Sequence, residues 1–310
     1  MHDSAMGCSY RPYNQLRAPA ITLGAIVIGL IIVLALPRRA IAAPQDAAAD
    51  PPMNQASQDA NAQAQADYNG DDATRPLNLV QLRDTYKTAP GTNRPATTNT
   101  ITLRADRRID LTPQWQIALR TDLPVLATNP ITADNPAGQF LYGMGDAEFQ
   151  AAVIHDFDAR WAAGLGVKLI APTGTDTLAS RKWQVMPGAS VRVMLPEIGP
   201  DSYFVPLVRY DLSVAGDPSA KAISNLQIAP TLNIDLPDHW FFTFYPNPDI
   251  RVNFGDPVTG QTGRLFLPFD GMIGLNLTND WVASLEVSVP IIKDYPVYDF
   301  KTEARIHVSY

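Results

Sequence analysis

From about residue 76 onward the chain alternates apolar and polar positions with a period of two, and short clusters of Pro, Asp, Asn and Gly interrupt the alternation. Successive side chains of a strand point to opposite faces, so each such segment presents one apolar and one polar face. Over 222–236 one face carries Ala222, Ser224, Leu226, Ile228, Pro230, Leu232, Ile234 and Leu236, and the other carries Ile223, Asn225, Gln227, Ala229, Thr231, Asn233 and Asp235. Over 161–171, Trp161, Ala163, Leu165, Val167 and Leu169 alternate with Gly164, Gly166 and Lys168. The closing stretch YDFKTEARIHVSY places Tyr298, Phe300, Ile306, Val308 and Tyr310 on one face and Lys301, Glu303, Arg305 and His307 on the other.

A larger repeat is superimposed on this alternation. Tight polar turns precede an aromatic residue in DLTPQW, HDFDARW, IGPDSY, DLPDHW and NLTNDW, placing Trp115, Trp161, Tyr203, Trp240 and Trp281 at intervals of 46, 42, 37 and 41 residues. Each interval accommodates two strands and one longer loop. The pattern predicts twelve strands, near 77–88, 99–111, 114–126, 144–156, 160–171, 183–196, 202–214, 222–236, 239–252, 264–277, 280–292 and 298–310. Short turns on one side, long loops on the other and an even strand count define an all-β transmembrane antiparallel up-and-down β-barrel with both ends in the periplasm. The five turn aromatics, with Tyr310, are expected to form the periplasmic girdle. A propeller of similar repeat length needs four short strands per repeat, which this spacing does not hold.

Three features strain the pattern. The first strand, LNLVQLRDTYKT, alternates poorly, and it must pair with the last one to close the cylinder. Arg107 falls on the lipid-facing parity unless a bulge near Asp106 shifts the phase. Pro187, Pro206, Pro230, Pro246, Pro248, Pro268 and Pro290 lie inside proposed strands, where each lacks a ladder donor.

The N-terminal part reads as an export address. Arg11 and Arg17 precede an uncharged run from Ala18 to Leu36, and Ala40-Ile41-Ala42 follows as a small-residue cleavage site. Residues 1–42 are thus expected to be a signal peptide, an uncleaved anchor being the alternative. Residues 43–75 are rich in Ala, Gln, Asp and Asn and poor in large apolar residues, the composition of a disordered periplasmic leader. After residue 40 no apolar run reaches membrane-helix length, so residues 76–310 must cross the bilayer with strands. The net charge of −7 argues against a nucleic-acid partner, and Cys8, the single cysteine, lies within the expected signal.

Taking the inward parity strand by strand yields ten cations and ten anions. Of these, Arg104, Asp106, Arg120, Asp146, Lys168, Arg192, Arg209, Asp211, Asp249, Arg251, Arg264, Asp270, Glu286, Glu303 and Arg305 are the candidates for a solute path. A single-sign ring would select counter-ions, whereas this balance predicts cross-strand ion pairs that narrow the interior. Twelve strands lie between the side-chain-packed barrel of eight and the open channel of sixteen. Arg104-x-Asp106, Arg209-x-Asp211 and Asp249-x-Arg251 place opposite charges on one face, and Arg offers a planar fork to a carboxylate.

Catalysis finds little support. His155, His239 and His307 fall at or near the short turns with no serine at matching spacing, so a lipid hydrolase is the weaker alternative. PTGTDT and GDPVTG lack the calcium-loop pattern, and neither a metal nor another cofactor is expected.

The strand texts GMGDAEFQAAV, GLGVKLIAPTGTDT, VMPGASVRV, SVAGD, LQIAPTLNIDLPDHWFF, RVNFG and FLPFDGMIGL resemble, in order, the outer-membrane family named for the meta-pathway of phenol degradation. The resemblance runs from about 76 to 310. It implies an outer-membrane barrel transporting small, often aromatic, compounds. The combined expectation is a monomeric channel for passive diffusion, with a plugged structural barrel as the alternative. Its partners would be outer-membrane lipid, a small-molecule solute and the barrel-assembly machinery, which the C-terminal strand would engage.

Overall fold

A computed structural model of the protein describes residues 70, 72–90, 96–132 and 135–310. The expected signal at 1–42 and most of the leader lie outside the described residues. Fourteen strands follow: β1 (Leu79–Thr88), β2 (Thr97–Asp110), β3 (Trp115–Thr128), β4 (Leu141–Met144), β5 (Ala147–Asp156), β6 (Trp161–Ala171), β7 (Lys182–Met194), β8 (Tyr203–Gly216), β9 (Ser224–Asp235), β10 (Trp240–Phe244), β11 (Ile250–Asn253), β12 (Leu265–Asn276), β13 (Trp281–Lys293) and β14 (Phe300–Ser309). All pairings are antiparallel between neighbours. β4 and β5 share β3 as a partner, and β10 and β11 share β9 and β12, so fourteen segments make twelve staves. β1 pairs with β14 from Leu79↔Ser309 to Thr88↔Phe300, which closes the cylinder. Closure leaves no stave with an open edge in hydrocarbon, where an unpaired backbone group would cost several kcal/mol.

The poor alternation of the first strand has a physical cause. Leu79, Gln81, Arg83 and Thr85 are buried inside, while Leu82 and Asp84 point outward. An apolar residue on the lumen side and a charged one on the lipid side reverse the usual pattern at two positions. Asp84 is satisfied by a hydrogen bond donated by Asn99 Nδ2 at 2.8 Å.

The prolines sit where their missing donors matter least. Pro206 faces Pro230 across β8 and β9, and Pro268 faces Pro290 across β12 and β13 beside a register shift at Leu267. The ladder between β7 and β8 omits Pro187 and Pro206. Pro246 and Pro248 fall in the break between β10 and β11, where Tyr245 takes a positive φ of 49°. No bulge appears at Asp106. The β2–β3 register runs unbroken through Asp106↔Arg120 and Arg107↔Leu119, so Arg107 keeps the outward parity. It lies within one turn of the strand end, where a long side chain reaches the interface along its own stem.

Trp115, Trp161, Trp240 and Trp281 each open a strand and stand exposed on the outer surface at the short-turn end. Four turns close alike, the residue four before each Trp donating its N–H to the Trp carbonyl at 2.8–2.9 Å. The fifth differs: Leu195 donates to Ser202 at 2.8 Å. Ser202 thus takes the place of the tryptophan, and Tyr203, expected in the girdle, falls on the opposite face. It is 1% exposed and packs with Leu77, Leu79, Met194 and Val205. Tyr310 is exposed at the same end.

Gly274 shows how tightly the interior is packed near that end. It pairs with Phe241, and a Cβ on Gly274 would lie 2.1 Å from Phe241 Cζ, within a ring that is 3% exposed. Gly274→Ala should push the ring off its seat against Met272 and Val282, at a cost of about 1–3 kcal/mol. The check is the temperature at which the folded, fast-migrating form is lost on an unboiled gel, which should fall.

Candidate functional site: the charged lumen

Several inward charges pair across strands, and Arg251 with Asp249 and Arg305 with Glu303 pair two residues apart. Arg104 lies opposite Asp122 and binds both of its oxygens, at 2.7 and 2.8 Å. Two residues on, Arg120 closes on Asp106 at 2.6 Å from the other strand. The Arg104-x-Asp106 pair is therefore not an internal pair, because opposed residues on neighbouring strands approach more closely than i and i+2. Lys168 donates to Glu148 at 2.6 Å, and Arg192 to Asp156 at 2.7 Å. Arg209 instead finds an amide, Gln227 Oε1, at 2.8 Å, while Gln227 reaches Asp211 at 3.5 Å. Arg251 meets Asp249 at 3.4 Å.

The densest cluster lies on β14 and its neighbours. Lys301, whose side chain is 2% exposed, is bonded to Asp249 and Glu286 and stands 3.8 Å from Asp270. Arg305 binds Glu286 and reaches Glu303 at 2.6 Å, and Arg83 closes on Glu303 through Nε at 2.9 Å. Asp249, Asp270 and Glu286 each turn an oxygen to within 4.8 Å of the others, the spacing of a cation site. The Lys301 ammonium already serves as their cation.

Two candidates do not belong to the lumen. Asp146 sits at the break between β4 and β5, where it accepts hydrogen bonds from Gly174 N at 3.2 Å and from Ser180 N and Oγ at 2.9 and 2.6 Å. Its role is to clasp the long loop 172–181. Arg264 is exposed in the loop before β12, its guanidinium 5.4 Å from the Phe254 ring centroid. Parity arguments fail for both because neither residue is inside a strand.

Other lumen residues escaped the sequence reading. Arg83 and Lys87 were hidden by the weak alternation of β1. Asn247, carried inward by the Pro246–Pro248 break, accepts from Arg83 at 3.1 Å and donates to Glu286 at 2.7 Å. Tyr298, expected to face lipid, precedes β14 and is fully buried, sharing a hydrogen bond with Ser288 at 2.7 Å and donating to Asp249 at 3.1 Å. The Pro-Asn-Pro sequence was the available signal for the inward break, since two prolines so close cannot continue a ladder.

The end of the expected leader also lies within the barrel. Asp72 accepts from Thr74 N and Oγ1, both at 2.7 Å, and stands 3.7 Å from Arg192 on β7. Arg75 reaches Met194 Sδ at 2.9 Å. Thr74 is fully buried, and Leu77 joins the cluster that includes Tyr203 and Val205 of β8. Because β7 and β8 stand across the barrel from β1, residues 72–78 cross the lumen at the short-turn end. Beside this segment the lumen holds a cavity of about 280 Å³.

The histidines are held in place rather than poised. His155 lies 4.3 Å from the Trp115 ring and 4.7 Å from Phe157, and His307 Nδ1 meets Gln81 Nε2 at 3.5 Å.

No family model matches the chain, and no curated protein matches it in sequence. Solved structures do match. An outer membrane channel from Pseudomonas putida F1 superposes with a TM-score of 0.58 at 15% identity, over 78% of this chain and 99% of that one. The translocator domain of the autotransporter NalP from Neisseria meningitidis superposes with a TM-score of 0.50 at 14% identity, over 82% and 94%. The fold is therefore that of a transmembrane outer-membrane β-barrel.

Proposed function

We propose that the protein is a monomeric outer-membrane channel through which small solutes, aromatic ones among them, diffuse passively along a narrow charged lumen. The observation that carries this reading is a cavity lined by ionised side chains inside a closed barrel. An inner wall built only for stability would be better packed with apolar groups, since burying charges gains little stability even when they pair. The resemblance of the strand texts to the phenol meta-pathway family, and the fold shared with a channel from Pseudomonas putida, support it. On this reading residues 1–42 direct export and the leader of 43–75 begins in the periplasm, its described end, Gly70 and 72–75, lying within the barrel.

Folded protein in a planar bilayer should produce small, steady current steps, each smaller than that of a wide porin of sixteen strands. Absence of conductance and of solute uptake in protein that keeps its heat-dependent gel shift would favour a plugged structural barrel. A lipid-ester substrate should be left intact, and turnover that depends on one histidine would instead place the chain among hydrolases.

A further inference from the structure

The ten-against-ten charge balance along the strands does not survive at the cavity. Its wall carries nine Arg or Lys side chains against four Asp or Glu. The other acids do not line it: Asp270 and Glu286 are fully buried behind Lys301, Asp106 lies toward the short-turn end beneath Arg120, Asp211 is buried beside Gln227, Asp146 clasps the loop after β6 and Asp110 is exposed at the end of β2. A wall of predominantly one sign attracts the opposite charge, and low-dielectric surroundings strengthen that attraction.

Three of the cations have unspent capacity. Lys87 has no carboxylate within ion-pair distance among the described residues and stands 5.8 Å from the Tyr298 ring centroid. Arg209 has Gln227 as its hydrogen-bond acceptor and no ion-pair partner among the described residues. Arg251 touches only Asp249 Oδ1, at 3.4 Å, while Lys301 holds Oδ2 of the same carboxylate, and the buried Nε of Arg251 has no acceptor. Arg251 lies within Coulomb range of both Lys87 and Arg209 and repels each, while Asp249 attracts Lys87 and Glu148 attracts Arg209, carboxylates that Lys301 and Lys168 already hold.

The wall next to Arg209 is of another kind. Gly166 faces Gly188 directly across β6 and β7, flanked by Ala152 and Gly164, with Met186 and Val205 also lining the cavity. A Cβ on Gly188 would lie 2.9 Å from Arg209 Cβ, so the glycine lets the arginine stem lie flat against the wall. The cavity therefore offers guanidinium and ammonium donors beside a smooth glycine strip, which Ser190 and Lys168 edge.

We infer that the cavity is a binding site for a small organic anion, its carboxylate held by Arg209, Arg251 and Lys87 and its apolar body lying on the Gly166–Gly188 wall. The inference rests on the channel reading for solute access but not for binding itself. A guanidinium accepts a carboxylate through two parallel N–H donors, and a flat apolar body replaces water on a surface that binds water poorly.

The test uses the full chain in a planar bilayer under a potassium chloride gradient, with sodium benzoate and sodium acetate as probes. The expected reversal potential lies on the chloride side. Benzoate should reduce the chloride current at lower concentration than acetate, because only benzoate covers the apolar wall. In Arg209→Gln and Arg251→Gln the benzoate concentration needed should rise roughly tenfold or more, as expected for loss of a charged hydrogen bond. A cation-side reversal potential, or equal benzoate sensitivity in both variants, would overturn the inference while leaving a channel. Should no current flow, equilibrium dialysis of labelled benzoate against the folded protein decides separately: binding that both variants weaken supports the site, and absence of binding removes it.

Discussion

Replacing Lys301 by Met should lower the stability of the barrel by about 3–5 kcal/mol, the cost of leaving buried charge without its partner. Lys301 is the cation for Asp249 and Glu286 and stands 3.8 Å from Asp270, and neither oxygen of Asp270 has a hydrogen-bond donor. Methionine keeps the volume and removes the charge, so the three carboxylates would face one another at close range with Arg305 on Glu286 and the longer Arg251 contact on Asp249 left to neutralise them. Loss of the fast-migrating gel form should move to markedly lower temperature. Adding Glu286→Gln in the same chain should recover part of the loss, because the two residues are coupled through one contact. An unchanged transition in Lys301→Met would mean that the ammonium does not hold these staves together.

Deleting residues 43–76 should raise the single-channel conductance several-fold with little change in the gel shift. Among the described residues, the deleted part of the crossing chain meets the wall at the Asp72–Arg192 approach of 3.7 Å, the Arg75–Met194 contact of 2.9 Å and the packing of Ala73 on the cluster of Leu77 and Tyr203. None of these belongs to the strand ladder, which begins at Leu79. Removing the crossing segment therefore widens the path without unpairing a stave. Arg192 keeps Asp156 as a partner at 2.7 Å, so no buried cation is abandoned. A conductance equal to that of the full chain would show that the narrowest point lies elsewhere, the Arg83–Glu303 and Lys301 region being the next constriction.

Much of this organisation was legible in the chain. A period of two exposes itself wherever one face meets lipid, because the apolar requirement there is nearly absolute; hence the clear alternation in 161–171 and 222–236. The turns preceding Trp115, Trp161, Trp240 and Trp281 share a length, so the aromatic falls on the outer face each time. Tyr203 followed a longer turn, and one added residue before a strand reverses every face after it. Its parity already matched Arg209 and Asp211, which were placed inward.

Inside the barrel the sequence constrains less. A lumen wall admits Leu79 as readily as Arg83, since one packs against Tyr203 and the other pairs with Glu303. Composition could predict that opposite charges would meet, and they do, but not which ones. Arg104 finds Asp122 because β2 and β3 are neighbours in a known register. Arg83 finds Glu303 only because the first and last strands close on each other, and Asp249 reaches Lys301 because the break at Pro246–Pro248 turns it inward.

The sequence by itself determined a twelve-stave cylinder, its two unlike ends and the face each stave turns to lipid, because lipid contact acts on every second residue independently of distant ones. Only the tertiary structure decided where charge accumulates. Ion pairing is a contest among side chains brought together by closure, and its outcome withdrew the acids and left an excess of cations around the open space.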